Sequence, residues 1–152
     1  MNRPVLWKNG MSDAPFVDVD RLTDGQARDL HGLYRNEWWT RGRTLEATRT
    51  MLLHTDHLFG ICERSSGRLV AFARVLTDRA FKAFIFDLIV APEHRAKGLG
   101  SHLMRRIVEH PDLQTVRHIE LACLPDLTTY YGRLGFSADV GGLLLMRRSD
   151  PR

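Results

Sequence analysis

The stretch Leu88-Ile89-Val90-Ala91-Pro92-Glu93-His94-Arg95-Ala96-Lys97-Gly98-Leu99-Gly100 joins an apolar strand to a helix through a basic, glycine-containing loop. Such a junction suits an anion. A helix start presents unpaired backbone N–H groups and a partial positive charge, and glycines at 98 and 100 remove side chains that would hold a phosphate away. Arg95 and Lys97 add full charges. The spacing is neither GxxxxGK[ST] nor GxGxxG, which disfavours nucleotide hydrolysis and hydride transfer. A plainer reading stays open at this point: the two glycines would simply permit a tight turn and close helix packing.

Working upstream, Ala80 to Val90 is the longest and most apolar strand, which predicts a place in the middle of the sheet. Asp78-Arg79 marks the turn before it. Cys62 to Val75 reads as a hairpin about Ser65-Ser66-Gly67, with a strand from His57 to Cys62 leading into it. Phe16, Val17 and Val19 make a short first strand. Leu30, Leu33, Tyr34 and Trp38 recur at helical spacing behind a Thr23 or Asp24 cap, predicting a helix as far as Trp38 or Trp39. Gly42 breaks it, and Thr44 restarts a helix through Met51 and Leu52. Residues 1–14 show no sustained period and read as a loosely ordered lead-in in which Val5, Leu6 and Trp7 could dock locally.

Downstream, Leu99, Leu103 and Ile107 place a helix over Gly98 to His110, which Pro111 stops. Val116 to Leu124 is then a strand. Pro125 opens a short helix through Tyr131 and Leu134, and Phe136 to Met146 is expected to close the sheet as a strand or hairpin about Gly141-Gly142.

The chain has 152 residues, 43% hydrophobic and 26% charged, which fits one ordinary folded domain spanning 1–152. Its longest apolar run, Ala83 to Ala91, is interrupted by Asp87 and is about half of what a membrane-spanning helix needs. With no apolar signal core near Met1, a cytoplasmic protein without a membrane partner is expected. Cys62 and Cys123 lie on separate predicted strands without CxxC spacing, so they read as small buried thiols, and no metal site is suggested. The net charge of +4 invites a nucleic acid, an anionic membrane or a polyanionic small molecule. Scattered arginines, with only Arg105-Arg106 and Arg147-Arg148 as doublets, give no basic run and no interleaved aromatics, which speaks against nucleic acid.

Arg95-x-x-Gly98-x-Gly100 beyond a Leu-x-Val strand end resembles the acetyl-CoA signature of the GCN5-related N-acetyltransferase (GNAT) superfamily. Tyr130-Tyr131-Gly132-Arg133-Leu134-Gly135-Phe136 resembles a second segment of that family, in the expected order. The likeness runs from about residue 15 to 147. It implies an α+β (α/β/α) GNAT fold: a central mixed, mostly antiparallel sheet of six to seven strands flanked by about four helices. It further implies that the backbone of Leu88, Ile89 and Val90 pairs with the pantetheine arm of acetyl-CoA and polarises the thioester carbonyl. Amides of Arg95, Ala96, Lys97, Gly98, Leu99, Gly100 and Ser101 would receive the pyrophosphate. Tyr131 would protonate the departing thiolate; a phenol with a pKa near 10 is still protonated at neutral pH and can serve as donor. Many relatives carry Asn seven residues before this tyrosine, where this chain has Leu124; Asp126 is either its substitute or a helix N-terminal acid.

The amine must lose a proton, and two carboxylates are candidates for the base. Asp87 sits inside an apolar strand where an unpaired charge would be costly. Strand alternation puts it on the face of Ile85 and Ile89, so it either faces the acceptor cleft as a base or water relay, or pairs with a buried arginine such as Arg74. Glu120, in His118-Ile119-Glu120-Leu121, ranks below it. Trp38 and Trp39 cannot both face the core of one helix. One of them lines the substrate pocket, or one is core and its neighbour rim or dimer contact. His57 and His94 read as surface histidines.

The expected function is an N-acetyltransferase that moves an acetyl group from acetyl-CoA to a primary amine of a small molecule by direct transfer. A non-catalytic acyl-CoA-binding regulatory module is the alternative, and a basic nucleic-acid binder is less favoured. A homodimer through an edge strand or terminal segment is left open.

Overall fold

The computed structural model describes residues 14–151. The lead-in expected over residues 1–14, with Val5, Leu6 and Trp7, lies outside the described residues but for Ala14. The chain forms two compact units that meet at the Ala122–Cys123 bond.

The first unit holds five strands: β1 (Phe16–Val19), β2 (His57–Glu63), β3 (Leu69–Thr77), β4 (Lys82–Val90) and β5 (His118–Leu121). They lie side by side in sequence order, antiparallel from β1 to β4 and parallel between β4 and β5. The parallel step needs a crossover, supplied by α3 (Leu99–Val108). Helices α1 (Asp24–Asn36) and α2 (Leu45–Leu53) connect β1 to β2. This is the expected α+β architecture, with five strands among the described residues in place of six to seven.

Helix α1 starts where the sequence places it. Thr23 Oγ1 accepts the Gln26 amide at 3.2 Å and Gln26 Oε1 accepts the Thr23 amide at 3.0 Å, a complete capping box. It ends earlier than expected, at Asn36. There the chain folds back so that the buried Thr40 hydroxyl donates to the Tyr34 carbonyl at 2.8 Å, satisfying a helix-end acceptor. Trp38 and Trp39 therefore lie in the turn after α1.

The sheet is covered on both sides. Leu30 and Tyr34 of α1 pack with Cys62, Leu69, Phe72 and Ile89 on one face. Phe59 pairs with Ala73, two places from Val75, and the Arg106 guanidinium of α3 lies 5.4 Å from the Phe59 ring, which puts α3 on the opposite face. Among the described residues, no helix is long and apolar enough to cross a membrane.

The second unit holds a short 3-10 turn (Pro125–Leu127) running into α4 (Thr128–Gly132), as expected from Pro125. The closing strand expected over Phe136 to Met146 is not formed. Local turn chemistry prevails there: Ser137 Oγ accepts the Asp139 amide at 3.1 Å, and Gly141 and Gly142 have φ of 71° and 77°. Leu143 to Met146 are left exposed.

Candidate active site

β4 is interrupted. Arg74 pairs with Phe86 and Phe72 with Ile89, so Asp87 and Leu88 together oppose Ala73 in a β-bulge. Asp87 takes the left-handed conformation, φ 59°, unusual for a residue with a side chain. The bulge corrects the alternation read from the sequence. Ile85, paired with Val75, faces α3, whereas Ile89, paired with Phe72, faces α1. Asp87 turns toward the α1 side.

There it is enclosed, with its side chain 5% exposed. Its Oδ2 accepts from Tyr34 Oη at 2.9 Å, Arg43 Nη1 at 2.7 Å and Arg74 Nε at 2.8 Å, and its Oδ1 accepts from Arg43 Nη2 at 3.1 Å. Burial by itself pushes the Asp87 carboxyl up, but the hydrogen bonds and charges of Arg43 and Arg74 outweigh it and hold the group below the usual carboxylate range. The Tyr34 hydroxyl is driven far up by burial and by the Asp87 charge, and stays protonated as a donor. Each arginine also lies over a ring, Arg43 on Tyr34 at 4.6 Å and Arg74 on Phe86 at 4.5 Å. Of the two readings open for Asp87, the geometry has the ion pair with Arg74, and it adds two partners that sequence reasoning missed. Tyr34 looked like an ordinary core position of α1, and Arg43 carried no signal beyond preceding the Thr44 cap.

Glu120 lies on the same face, since β5 pairs it with Phe84, whose ring is 4.6 Å from that of Phe86. Its carboxylate is ion-paired with Lys82 at the exposed end of the strand pair.

The β4–β5 ladder stops at Ile85 and Leu121. Past that point Phe86 to Val90, including Leu88, Ile89 and Val90, have no strand paired on their β5 side among the described residues. This stretch of backbone leads through Pro92–His94 into the basic loop, where Ala96 and Gly98 have φ of 61° and 82°. Gly98 is the N-cap residue of α3, and no side chain caps the helix. Nothing lies within 4 Å of where a Gly98 Cβ would stand, so the glycine serves backbone direction rather than close packing at this position. Arg95 is engaged: its Nε donates to the Val90 carbonyl at 3.1 Å and its Nη2 pairs with Glu37. Lys97 Nζ lies 3.3 Å from His94 Nδ1. A diphosphate and an amide-bearing arm fit this surface chemically, since it offers an uncapped helix start, two cations and an open strand edge.

Trp38 and Trp39 both lie outside the helix, 69% and 38% exposed, next to the Glu37–Arg95 pair. His94 is not a surface histidine: its Nε2 meets Glu63 Oε1 at 2.8 Å and its ring packs edge-on against Phe16. His57 is likewise enclosed, with its ring 4.4 Å from that of His110. Cys62 is buried and its thiol is pushed up to about 11 by that burial, whereas Cys123 is exposed, which corrects the reading of two buried thiols.

In the second unit Tyr131 sits on α4, its ring 5.0 Å from Tyr130 and 6.2 Å from Phe136. Its carbonyl accepts the Leu134 and Phe136 amides, so the Gly135 turn closes back on the tyrosine. Burial, with smaller contributions from Tyr130 and Cys123, pushes its hydroxyl up to about 12. Leu124 and Asp126 flank the start of the 3-10 turn, and no side-chain cap is made there.

Known proteins resemble this chain in sequence and in fold. The family model described as the acetyltransferase (GNAT) family matches residues 22–136. The chain is 36% identical over 124 residues to GCN5-related N-acetyltransferase 1, chloroplastic, of Arabidopsis thaliana, covering 81% of this chain and 62% of that protein. It is 30% identical over 117 residues to an uncharacterised N-acetyltransferase, ycf52, of Porphyra purpurea, covering 76% and 67%. The chain thus spans about two thirds of the length of these relatives. A crystal structure from Xanthomonas campestris pv. campestris, assigned to the GNAT family, superposes with a TM-score of 0.76 at 32% identity, covering 90% of this chain and 94% of that one. An open strand edge that runs into an uncapped helix, on a fold and sequence shared with these proteins, places this chain in the GNAT acetyltransferase family.

Proposed function

We propose that this protein is an acetyl-CoA-dependent N-acetyltransferase that acts on a primary amine of a small molecule by direct transfer, without an acyl-enzyme. The observation that carries the reading is the continuity of the open β4 edge at Leu88, Ile89 and Val90 with the left-handed Gly98 and the uncapped start of α3. When bound, acetyl-CoA supplies an acyl thioester, whose acetyl group passes to the amine as the thiolate leaves.

The residues of the chain do the rest. Backbone groups of β4 hold the arm extended and donate to the carbonyl oxygen where charge develops. The loop amides from Arg95 to Ser101 and the Lys97 charge receive the diphosphate, while Arg95, tied to Val90 and Glu37, fixes the loop against the strand end. Asp87 is a poor proton acceptor with four hydrogen bonds on its two oxygens; it positions Arg43 and Arg74 along the acceptor face. Glu120, bordered by Phe84, takes the proton of the amine through water. Tyr131 Oη gives its proton to the leaving sulfur.

Thermal unfolding with and without acetyl-CoA tests the reading. Ligand at 100 times its Kd stabilises by about 2.7 kcal/mol, which raises Tm by about 2 to 8 °C for domains near this size. A rise that Gly98→Glu abolishes, followed by release of free thiol with one member of an amine panel, is expected. The panel includes aromatic and anionic amines, because Phe84, Phe86 and the part-exposed Arg43 guanidinium line this face. No shift with acetyl-CoA overturns the cofactor assignment. A shift without turnover on any amine favours a non-catalytic acyl-CoA-binding module.

A further inference from the structure

We propose that His57, His110 and Asp112 form a binding site for a divalent transition-metal ion, of the zinc, cobalt or nickel type, away from β4 and its loop. His57 opens β2, His110 follows the end of α3, and Asp112 lies in the 3-10 turn that Pro111 starts, so an ion here would clamp three elements together. One ligand atom from each residue lies within 4.8 Å of the others.

Three features point to a ligand rather than to packing alone. First, His57 Nε2 is fully enclosed and receives no hydrogen bond, although its ring is 13% exposed and a 460 Å³ cavity opens beside it. A buried ring nitrogen without a partner is costly unless something fills its coordination. Asp112 Oδ2 is 3.3 Å away, outside hydrogen-bond geometry. That distance is the separation of two ligand atoms around a tetrahedral ion with bonds of about 2.0 to 2.1 Å. Secondly, His110 Nδ1 accepts the Asp112 amide at 3.2 Å, so two of the three ligand residues are already held side by side, and an ion bound at this nitrogen would replace that hydrogen bond. Thirdly, the surroundings are acidic. Asp20, Asp56 and Glu109 line the cavity with Arg106, and Arg79 stands 3.8 Å from Asp112 on an exposed side chain.

Two imidazoles and one carboxylate suit borderline ions and not magnesium. The sequence hides such a site, because His57 lies far along the chain from His110 and Asp112.

The test uses the full chain, free of any histidine tag and stripped of metal. Cobalt(II) is titrated by visible absorption and zinc by calorimetry, with magnesium as the control. One ion per chain is expected, at least tenfold weaker in both Asp112→Asn and His110→Ala, with a metal-dependent rise in Tm that these variants lose. Asp112 is part-exposed, so Asp112→Asn keeps the test valid should His110→Ala or His57→Gln unfold. Absence of stoichiometric binding, or binding that is unchanged in Asp112→Asn and His110→Ala, overturns the proposal.

Discussion

Arg43 grips both carboxylate oxygens of Asp87, at 2.7 Å and 3.1 Å, and so ties the residue before the α2 cap to the bulge of β4. A left-handed non-glycine residue costs about 1 kcal/mol or more, and the hydrogen bonds from Arg43, Arg74 and Tyr34 hold Asp87 in that conformation. The bulge and the cluster are therefore one feature, and the open strand edge begins beside them.

Removing the Asp87 carboxylate leaves the enclosed Arg74 without its anion. Asp87→Ala is expected to lose about 3 kcal/mol in urea unfolding, as for other broken buried pairs. The pH dependence has a defined sign. The folded carboxyl lies below its unfolded value, so its contribution is present above about pH 4 and lost as pH falls through the folded pKa. Stability of Asp87→Asn should accordingly fall less steeply below about pH 4 than that of the wild type. Identical acid limbs for the two proteins would remove the ion pair from its stabilising role.

Gly98 has φ 82° with open space around the missing Cβ, so strain and not collision governs substitution there. Gly98→Ala and Gly98→Glu should each lower unliganded stability by about 1 to 2 kcal/mol. Only the glutamate adds a negative charge at the diphosphate position, and acetyl-CoA should stabilise the alanine variant far more. Equal ligand shifts in the two variants would place the diphosphate elsewhere.

Burial pushes the Tyr131 hydroxyl up to about 12, so it remains a proton donor throughout the alkaline range in which acceptor amines lose their protons. Tyr131→Phe should lower turnover by about 100-fold or more while the acetyl-CoA thermal shift persists. Wild-type activity should show no alkaline decline below about pH 10 from this group. Full turnover in the phenylalanine variant would assign Tyr131 to packing.

The legible parts of the fold were those set by neighbours in sequence. Thr23 with Gln26, Thr44 with Ala47, and Ser65-Ser66-Gly67 each fix a boundary through contacts a few residues long, and each boundary is where the spacing puts it. The loop from Pro92 to Gly98 was legible for the same reason. What escaped depends on partners brought from far away. The Asp87 bulge changes which residues share a face, and no local pattern announces a register shift between β3 and β4. Arg43 and Tyr34 gain their roles only when β4 arrives between them. The missing final strand reflects the converse: Phe136 to Met146 has strand-like composition, but its turn residues bond to one another.

Gly60 of β2 pairs with Phe72 on the α1 face, where there is no room for a side chain. A Cβ there would stand 2.7 Å from Val19 Cγ2, 3.1 Å from Leu69 Cδ1 and 3.4 Å from Leu22 Cδ2. These groups belong to β1, β3 and the turn before α1, so relieving the collision means moving β1 away from the core or rotating Leu69, which is fully enclosed beside Tyr34 and Phe72. Neither is free. Gly60→Ala should therefore destabilise by about 1 to 3 kcal/mol through overpacking, despite the better strand propensity of alanine. Trimming the neighbour offers a discriminating check: Val19→Ala removes the atom at 2.7 Å, and the double variant should recover part of the loss, giving a positive coupling in urea unfolding. Strictly additive losses would show that β1 does not close over Gly60 in this register.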